Sequence, residues 1–187
     1  MSNRFSSSQT PLAGLTLLVR KPMGDERGFL ERLFCMSDLG ELLAGRSIEQ
    51  VNRTFTARRG AVRGLHFQNP PHAEMKFVTC LRGRVFDVAV DLRRGSRTFL
   101  QPHSEVLAED NHKTLVIPEG FAHGFQTLTD ECELLYFHTA AYQPSAEGGV
   151  NVRDPRLSIS WPEPITELSA RDSSFPMLTP DYGGIAP

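Results

Sequence analysis

The sequence predicts an all-β domain, a sandwich or barrel with short peripheral helices. Two observations carry this. From Val62 to about Thr139 the chain breaks into short strand-forming stretches divided by turn residues, at the spacing seen in sandwiches and barrels. Within them apolar and polar residues alternate, the repeat that sends successive side chains to opposite faces of a strand.

Taken in order, residues 1–10 are polar and Ser-rich and read as a flexible lead. One short helix is expected, with Ser37 as its cap, Leu39, Leu42 and Leu43 at helical spacing, and Gly45 ending it. The stretch Val62 to Gln68 reads as a strand. In Val85 to Leu92, residues Phe86, Val88, Val90 and Leu92 share one face, and Asp87 and Asp91 lie on the other. Arg93-Arg94-Gly95-Ser96 is a turn. Lys113 to Pro118 is a strand ended by Pro118-Glu119-Gly120, and Glu133 to Thr139 is another. The proline-rich tail from Trp161 reads as packed loop. With no internal repeat, residues 1–187 read as a single domain.

Composition narrows the function. The chain has 40% hydrophobic and 22% charged residues, ordinary for a soluble globular protein. A net charge of -2 gives no general attraction to nucleic acid or a membrane surface, although a local basic pocket for a small anion is compatible with it. Cys35, Cys80 and Cys132 are odd in number and form no Cys-x-x-Cys pair, which argues for reduced thiols over a disulfide framework or zinc site. The polar N-terminus lacks the apolar stretch of a secretory signal, and no apolar run reaches membrane-spanning length. A cytoplasmic location is the expectation.

Several residues could carry chemistry, and each has a plainer reading. His66 lies in Gly64-Leu65-His66-Phe67-Gln68. A lone strand histidine is more often a satisfied core residue than a base. Strand parity should also turn Arg63 away from His66, unless Gly64 allows a bulge. Lys76 enters an apolar strand, either as a snorkelling edge residue or as an ammonium that polarises a carbonyl. Tyr136 is either a structural phenol or a general acid. Arg27, in Asp25-Glu26-Arg27-Gly28, is either solvated or a phosphate clamp. A metal held by His66, His123 and a carboxylate would make the chain a metal-dependent enzyme such as a dioxygenase. However, the His-x-His start of that ligand pattern is missing, because Gln68 stands where the second histidine would be.

Taken together, these segments resemble the dTDP-4-dehydrorhamnose 3,5-epimerase family. The matching residues include Gly24-Asp25-Glu26-Arg27-Gly28-Phe29, Arg63-Gly64-Leu65-His66-Phe67-Gln68, Val85 to Asp91 and Ile117 to Phe125. They continue through Leu135-Tyr136, Arg153-Asp154-Pro155, Ile159-Ser160-Trp161-Pro162 and Leu168-Ser169-Ala170-Arg171-Asp172, so the match spans about residues 15–175 in the family's order.

The resemblance implies a cupin-like jelly roll, a homodimer, a nucleotide-sugar substrate, and neither metal nor cofactor. It implies that His66 is the base, Asp172 its partner, Tyr136 the acid on the opposite face, and Lys76 the cation beside the enolate. It places Arg63 and His123 on the pocket, and Arg27, Gln50 and Asn52 on the nucleotide. The reaction would be epimerisation at C3 and/or C5 of a 4-keto-6-deoxy sugar.

The chemistry suits these residue types. Protons beside a ketone are acidic because the carbonyl takes the charge, and a neutral imidazole with a free pKa of about 6.5 is a suitable base near neutrality. Three positions depart from the family's usual pattern: Arg32, Arg53 and Ala141. They bear on the nucleotide and the pocket wall. A non-catalytic sugar-nucleotide binding module is the reading from another class. The joint presence of base, acid and cation argues against it.

Overall fold

A computed structural model of the chain describes residues 4–186. In order, its elements are β1 (Phe5–Gln9), β2 (Thr16–Arg20), β3 (Met23–Asp25), β4 (Gly28–Leu30), α1 (Met36–Leu43), β5 (Gln50–Thr56), β6 (Ala61–Gln68), β7 (Lys76–Arg82) and β8 (Arg84–Asp91). They continue with β9 (Pro102–Ala108), β10 (Lys113–Ile117), β11 (Phe121–Thr127), β12 (Cys132–His138), β13 (Glu147–Gly149), β14 (Glu167–Leu168) and α2 (Ala170–Ser174).

Twelve strands form two six-stranded sheets, and β3 and β4 form a separate hairpin. The first sheet runs β1-β2-β10-β7-β12-β5, and the second β13-β6-β11-β8-β9 with β14 added beside β6. All the pairings are antiparallel except that of β14 with β6. The sheets face each other as an open jelly roll, the all-β class the sequence predicts.

The apolar residues form three clusters that match these layers. Between the sheets, Val78, Cys80, Leu115 and Leu134 of the first meet Val85, Ala89, Leu107 and Phe125 of the second. On the outer side of the first sheet, Leu18, Phe77 and Val116 pack against Leu39 and Leu43 of α1. On the outer side of the second, Val62, Val88, Val90 and Leu92 are covered by Val150, Val152, Leu157 and the tail. The alternation predicted for β8 is therefore present, but both faces are buried. Asp87 and Asp91 are both 0% exposed and sit inside the molecule.

Two local expectations change. The flexible lead of residues 1–10 is corrected over Phe5–Gln9, which pairs with β2, and Phe5 is buried. The serines there give a polar outer surface on a strand whose backbone bonds hold it, and residues 1–3 lie outside the described region. The helix is capped at Cys35, not Ser37, and starts two residues earlier than the side-chain pattern suggested. It ends at Ala44 and Gly45, with φ of 49° and 86°. Among the described residues no helix is long and apolar enough to cross a membrane.

One irregularity matters for the site. Across β6 and β11, His66 faces His123 and Arg63 faces Phe125, so three steps on β6 span two on β11. The extra residue is a bulge at Gly64, where φ is 130° and a Cβ would lie 2.6 Å from Gly124 Cα. The bulge cancels the parity that would separate Arg63 from His66, and both side chains line one cavity.

Candidate active site

The cavity has a volume of about 710 Å³ and opens between the sheets. His66, Lys76, Tyr136, Asp172, Arg63, His123 and Asn52 all line it. They come from β5, β6, β7, β11, β12 and α2, so most of the chain contributes to its walls.

His66 Nε2 lies 2.8 Å from Asp172 Oδ1. The other oxygen, Oδ2, accepts from the backbone N–H of Gly64 at 3.1 Å. Asp172 is itself fixed by Ser169, which caps α2 and whose Oγ accepts from the Asp172 N–H at 3.0 Å. Burial alone would raise the Asp172 pKa. The bonds from His66, Gly64 and Arg171 outweigh it and hold the carboxyl down at about 2. A carboxylate only accepts, so His66 Nε2 carries the proton and the lone pair falls on Nδ1. Arg171 Nε also donates to Asp172 Oδ1 at 3.2 Å, and its Nη2, which can only donate, stands 3.0 Å from His66 Nε2, so the guanidinium and the imidazole N–H compete for the same carboxylate oxygen.

Lys76 opens β7, with Nζ 3.1 Å from Glu74 Oε1 and 3.4 Å from the His66 carbonyl oxygen. Its side chain is 10% exposed, so its charge acts in a poorly screened space. Tyr136 is buried on β12, edge-on to the His123 ring at 5.9 Å. Burial first, and then the negative charge of Asp87, raise its pKa, which keeps the phenol protonated. His123 Nε2 is bonded to Asp87 Oδ2 at 2.9 Å. Arg63 Nε donates to Thr56 Oγ1 at 3.0 Å.

Of the sequence-predicted residues, Arg27 and Gln50 do not line the cavity. Arg27 sits on the β3–β4 hairpin with its side chain 84% exposed and is paired with Asp25. The Gln50 Oε1 accepts from the Tyr142 N–H at 2.9 Å, so its side chain is tied to the loop after β12. Arg53 likewise points away, bonded to Glu133. Sequence reasoning missed Glu74, Asp87, His138 and Arg171. His138 had a signal, since Leu134, Tyr136 and His138 share a face by alternation. Asp87 and Arg171 lie inside the matching segments Val85 to Asp91 and Leu168 to Asp172, but no local pattern gave either a role. Among the described residues no three His, Cys, Asp or Glu side chains converge as a metal-ligand set, and His66 and His123 each face their own carboxylate.

Residues 9–180 match the profile of the dTDP-4-dehydrorhamnose 3,5-epimerase family. The dTDP-4-dehydrorhamnose 3,5-epimerase of Salmonella typhimurium is 41% identical over 172 residues, covering 91% of this chain and 93% of its own. The Bacillus anthracis enzyme of the same name, solved with TDP and PPi bound, superposes with a TM-score of 0.88 at 37% identity, over 93% of this chain and 99% of its own. The dTDP-6-deoxy-D-glucose-3,5-epimerase of Legionella pneumophila, solved with dTDP-4-keto-L-rhamnose, gives 0.87 at 36% identity over 92% of each chain.

Proposed function

This chain belongs to the dTDP-4-dehydrorhamnose 3,5-epimerase family, and on that premise we propose that it inverts C3 and/or C5 of a dTDP-linked 4-keto-6-deoxy sugar. The observation that carries the reading is one cavity holding a carboxylate-backed imidazole, a buried ammonium and a protonated phenol.

His66 takes the proton beside the ketone through Nδ1. Asp172 holds the tautomer and supports the imidazolium that forms. The electron pair moves onto the C4 oxygen, where Lys76 balances the negative charge. Tyr136 returns a proton to the opposite face, which inverts the carbon. Arg63 and His123 line the sugar, and Asn52 faces the nucleotide end. The substrate's own ketone is the electron sink, so the residues described supply every proton and charge the step requires.

The metal-dependent reading, a dioxygenase on the same fold, lacks support from the donor set. Its two candidate histidines are committed to Asp172 and Asp87. Residues 1–187 act as one epimerase domain. A homodimer is supported by apolar side chains left bare on the β3–β4 hairpin and on the edge strand β5, where Phe29 is 69% and Val51 53% exposed. Three unpaired thiols fit a reducing cytoplasm.

The deciding experiment follows deuterium entry at C3 and C5 of dTDP-4-keto-6-deoxyglucose in D2O by NMR, with CDP- and GDP-linked 4-keto sugars beside it. Exchange in the wild type and none in a folded His66→Ala variant is expected. The reading fails if no 4-keto nucleotide sugar exchanges, and the His66 assignment fails if the variant still does.

A further inference from the structure

Given the epimerase reading, we infer that Glu74 and His138 form a positioning pair that aims the Lys76 ammonium at the substrate ketone. Lys76 and His138 are directly opposed across β7 and β12. Side chains so placed share a face and lie close enough that two positive charges would repel. Glu74, two residues before Lys76, stands between them. Its Oε1 lies 3.1 Å from Lys76 Nζ, and its Oε2 lies 2.7 Å from His138 Nδ1. All three side chains are about nine-tenths buried, with exposures of 9%, 10% and 11% for Glu74, Lys76 and His138.

This arrangement does three things. It gives a buried ammonium a counter-charge, without which burial would favour the neutral amine. It removes rotamer freedom from a long flexible side chain, so the charge is already in place when the enolate forms. It also fixes the His138 ring: the Nδ1–H donates to Glu74, and Nε2 is left to accept from Asn52 Nδ2 at 3.3 Å. The fixed ring lies parallel to Tyr136, with centroids 5.8 Å apart and planes 15° apart. The pair thus sits between the cation and the phenol. Glu74 keeps its charge in this setting: burial pushes its pKa up, but the His138 hydrogen bond and the Lys76 charge bring it below the usual glutamate value. His138 lines the cavity, but neither residue takes a proton or holds the enolate charge in the proposed step. Their effect passes through Lys76.

The test compares wild type, Glu74→Gln, His138→Gln and the double variant for deuterium exchange into dTDP-4-keto-6-deoxyglucose, with dTDP affinity measured by calorimetry. Each single variant should lose about 10- to 100-fold in kcat while dTDP binding changes by less than about twofold. The double variant should lose no more than the worse single, because residues acting as a unit are not additive. In a Lys76→Met background, adding Glu74→Gln should cost nothing further. That outcome is not expected of a purely structural carboxylate. Nitrogen-15 NMR of the wild type should show His138 as the Nδ1–H tautomer, a readout that survives if a variant fails to fold. The inference is overturned by wild-type kcat in either single variant, by a further loss in the Lys76→Met background, or by the Nε2–H tautomer at His138. A wild type that exchanges no deuterium into dTDP-, CDP- or GDP-linked 4-keto sugars sinks the epimerase reading itself, and the inference with it. The wild-type arm alone separates that failure from the others.

Discussion

His66 and Asp172 stand 106 positions apart in the chain and 2.8 Å apart in the cavity. The contact needs both the bulge in β6 and the one-turn helix α2 in the tail. It fixes the imidazole in the tautomer that a base at Nδ1 requires, and several expectations follow from it.

Asp172→Asn keeps the shape of the side chain but removes the charge and allows the wrong tautomer. Deuterium exchange should fall by about 10²- to 10⁴-fold, by analogy with other His-Asp pairs. The circular dichroism spectrum should be unchanged. Exchange within tenfold of wild type would show that Asp172 does not control the base.

The same carboxyl gives the fold an acid-sensitive element. Its pKa is 3.8 when free and about 2 when folded. A depressed pKa stabilises the folded state fully above about pH 4, and that stability fades as pH falls towards about 2. The shift is worth roughly 2 kcal/mol. Urea unfolding across this range should show a steeper acid loss in wild type than in Asp172→Asn. Parallel curves would count against the assignment.

Tyr136→Phe separates proton removal from inversion. The base is intact, so solvent deuterium should still enter the substrate with retention. Inverted product should drop by about 10²-fold or more. If inversion persists at the wild-type rate, another donor serves the opposite face.

Gly64→Ala tests the bulge. The added methyl would meet Gly124 Cα at 2.6 Å and the His123 carbonyl oxygen at 2.9 Å, both backbone atoms of the neighbouring strand. Relief requires moving β6 from β11, and the variant should lose about 3 kcal/mol in chemical denaturation. A loss below about 1 kcal/mol would mean the strands can part at little cost.

Thiol labelling checks the core. Burial pushes the Cys80 thiol up to about 12, Cys132 is fully buried, and Cys35 is half-buried at the start of α1. Iodoacetamide near neutral pH should modify one thiol per native chain, at Cys35. Labelling of Cys80 without unfolding would show that the inter-sheet core opens readily.

Whereas β9 and β11 emerged only in the fold, the sequence alone determined the all-β class, the strands over Val62 to Gln68, Val85 to Leu92, Lys113 to Pro118 and Glu133 to Thr139, and the types of residue at the centre. Those depend on alternation and turn chemistry, which act over a few residues. It also placed Lys76, Tyr136 and His66 on strands, although each by itself had a plainer structural reading. Tertiary structure decided the rest. Asp172 is unremarkable in a polar tail until α2 docks on β6. Asp87 reads as an outward-facing strand residue until the tail covers the other face of β8. Ser6, Ser7 and Ser8 read as a flexible lead until β2 supplies their backbone partners. Glu74 acquires a role only when pairing of β7 with β12 sets Lys76 against His138. Arg27, clear as a motif, stays outside the cavity, because the hairpin that carries it does not fold towards it. For Asp172, Asp87, the serines and Glu74 the deciding contact joins residues distant in the chain, so local pattern could not reveal it.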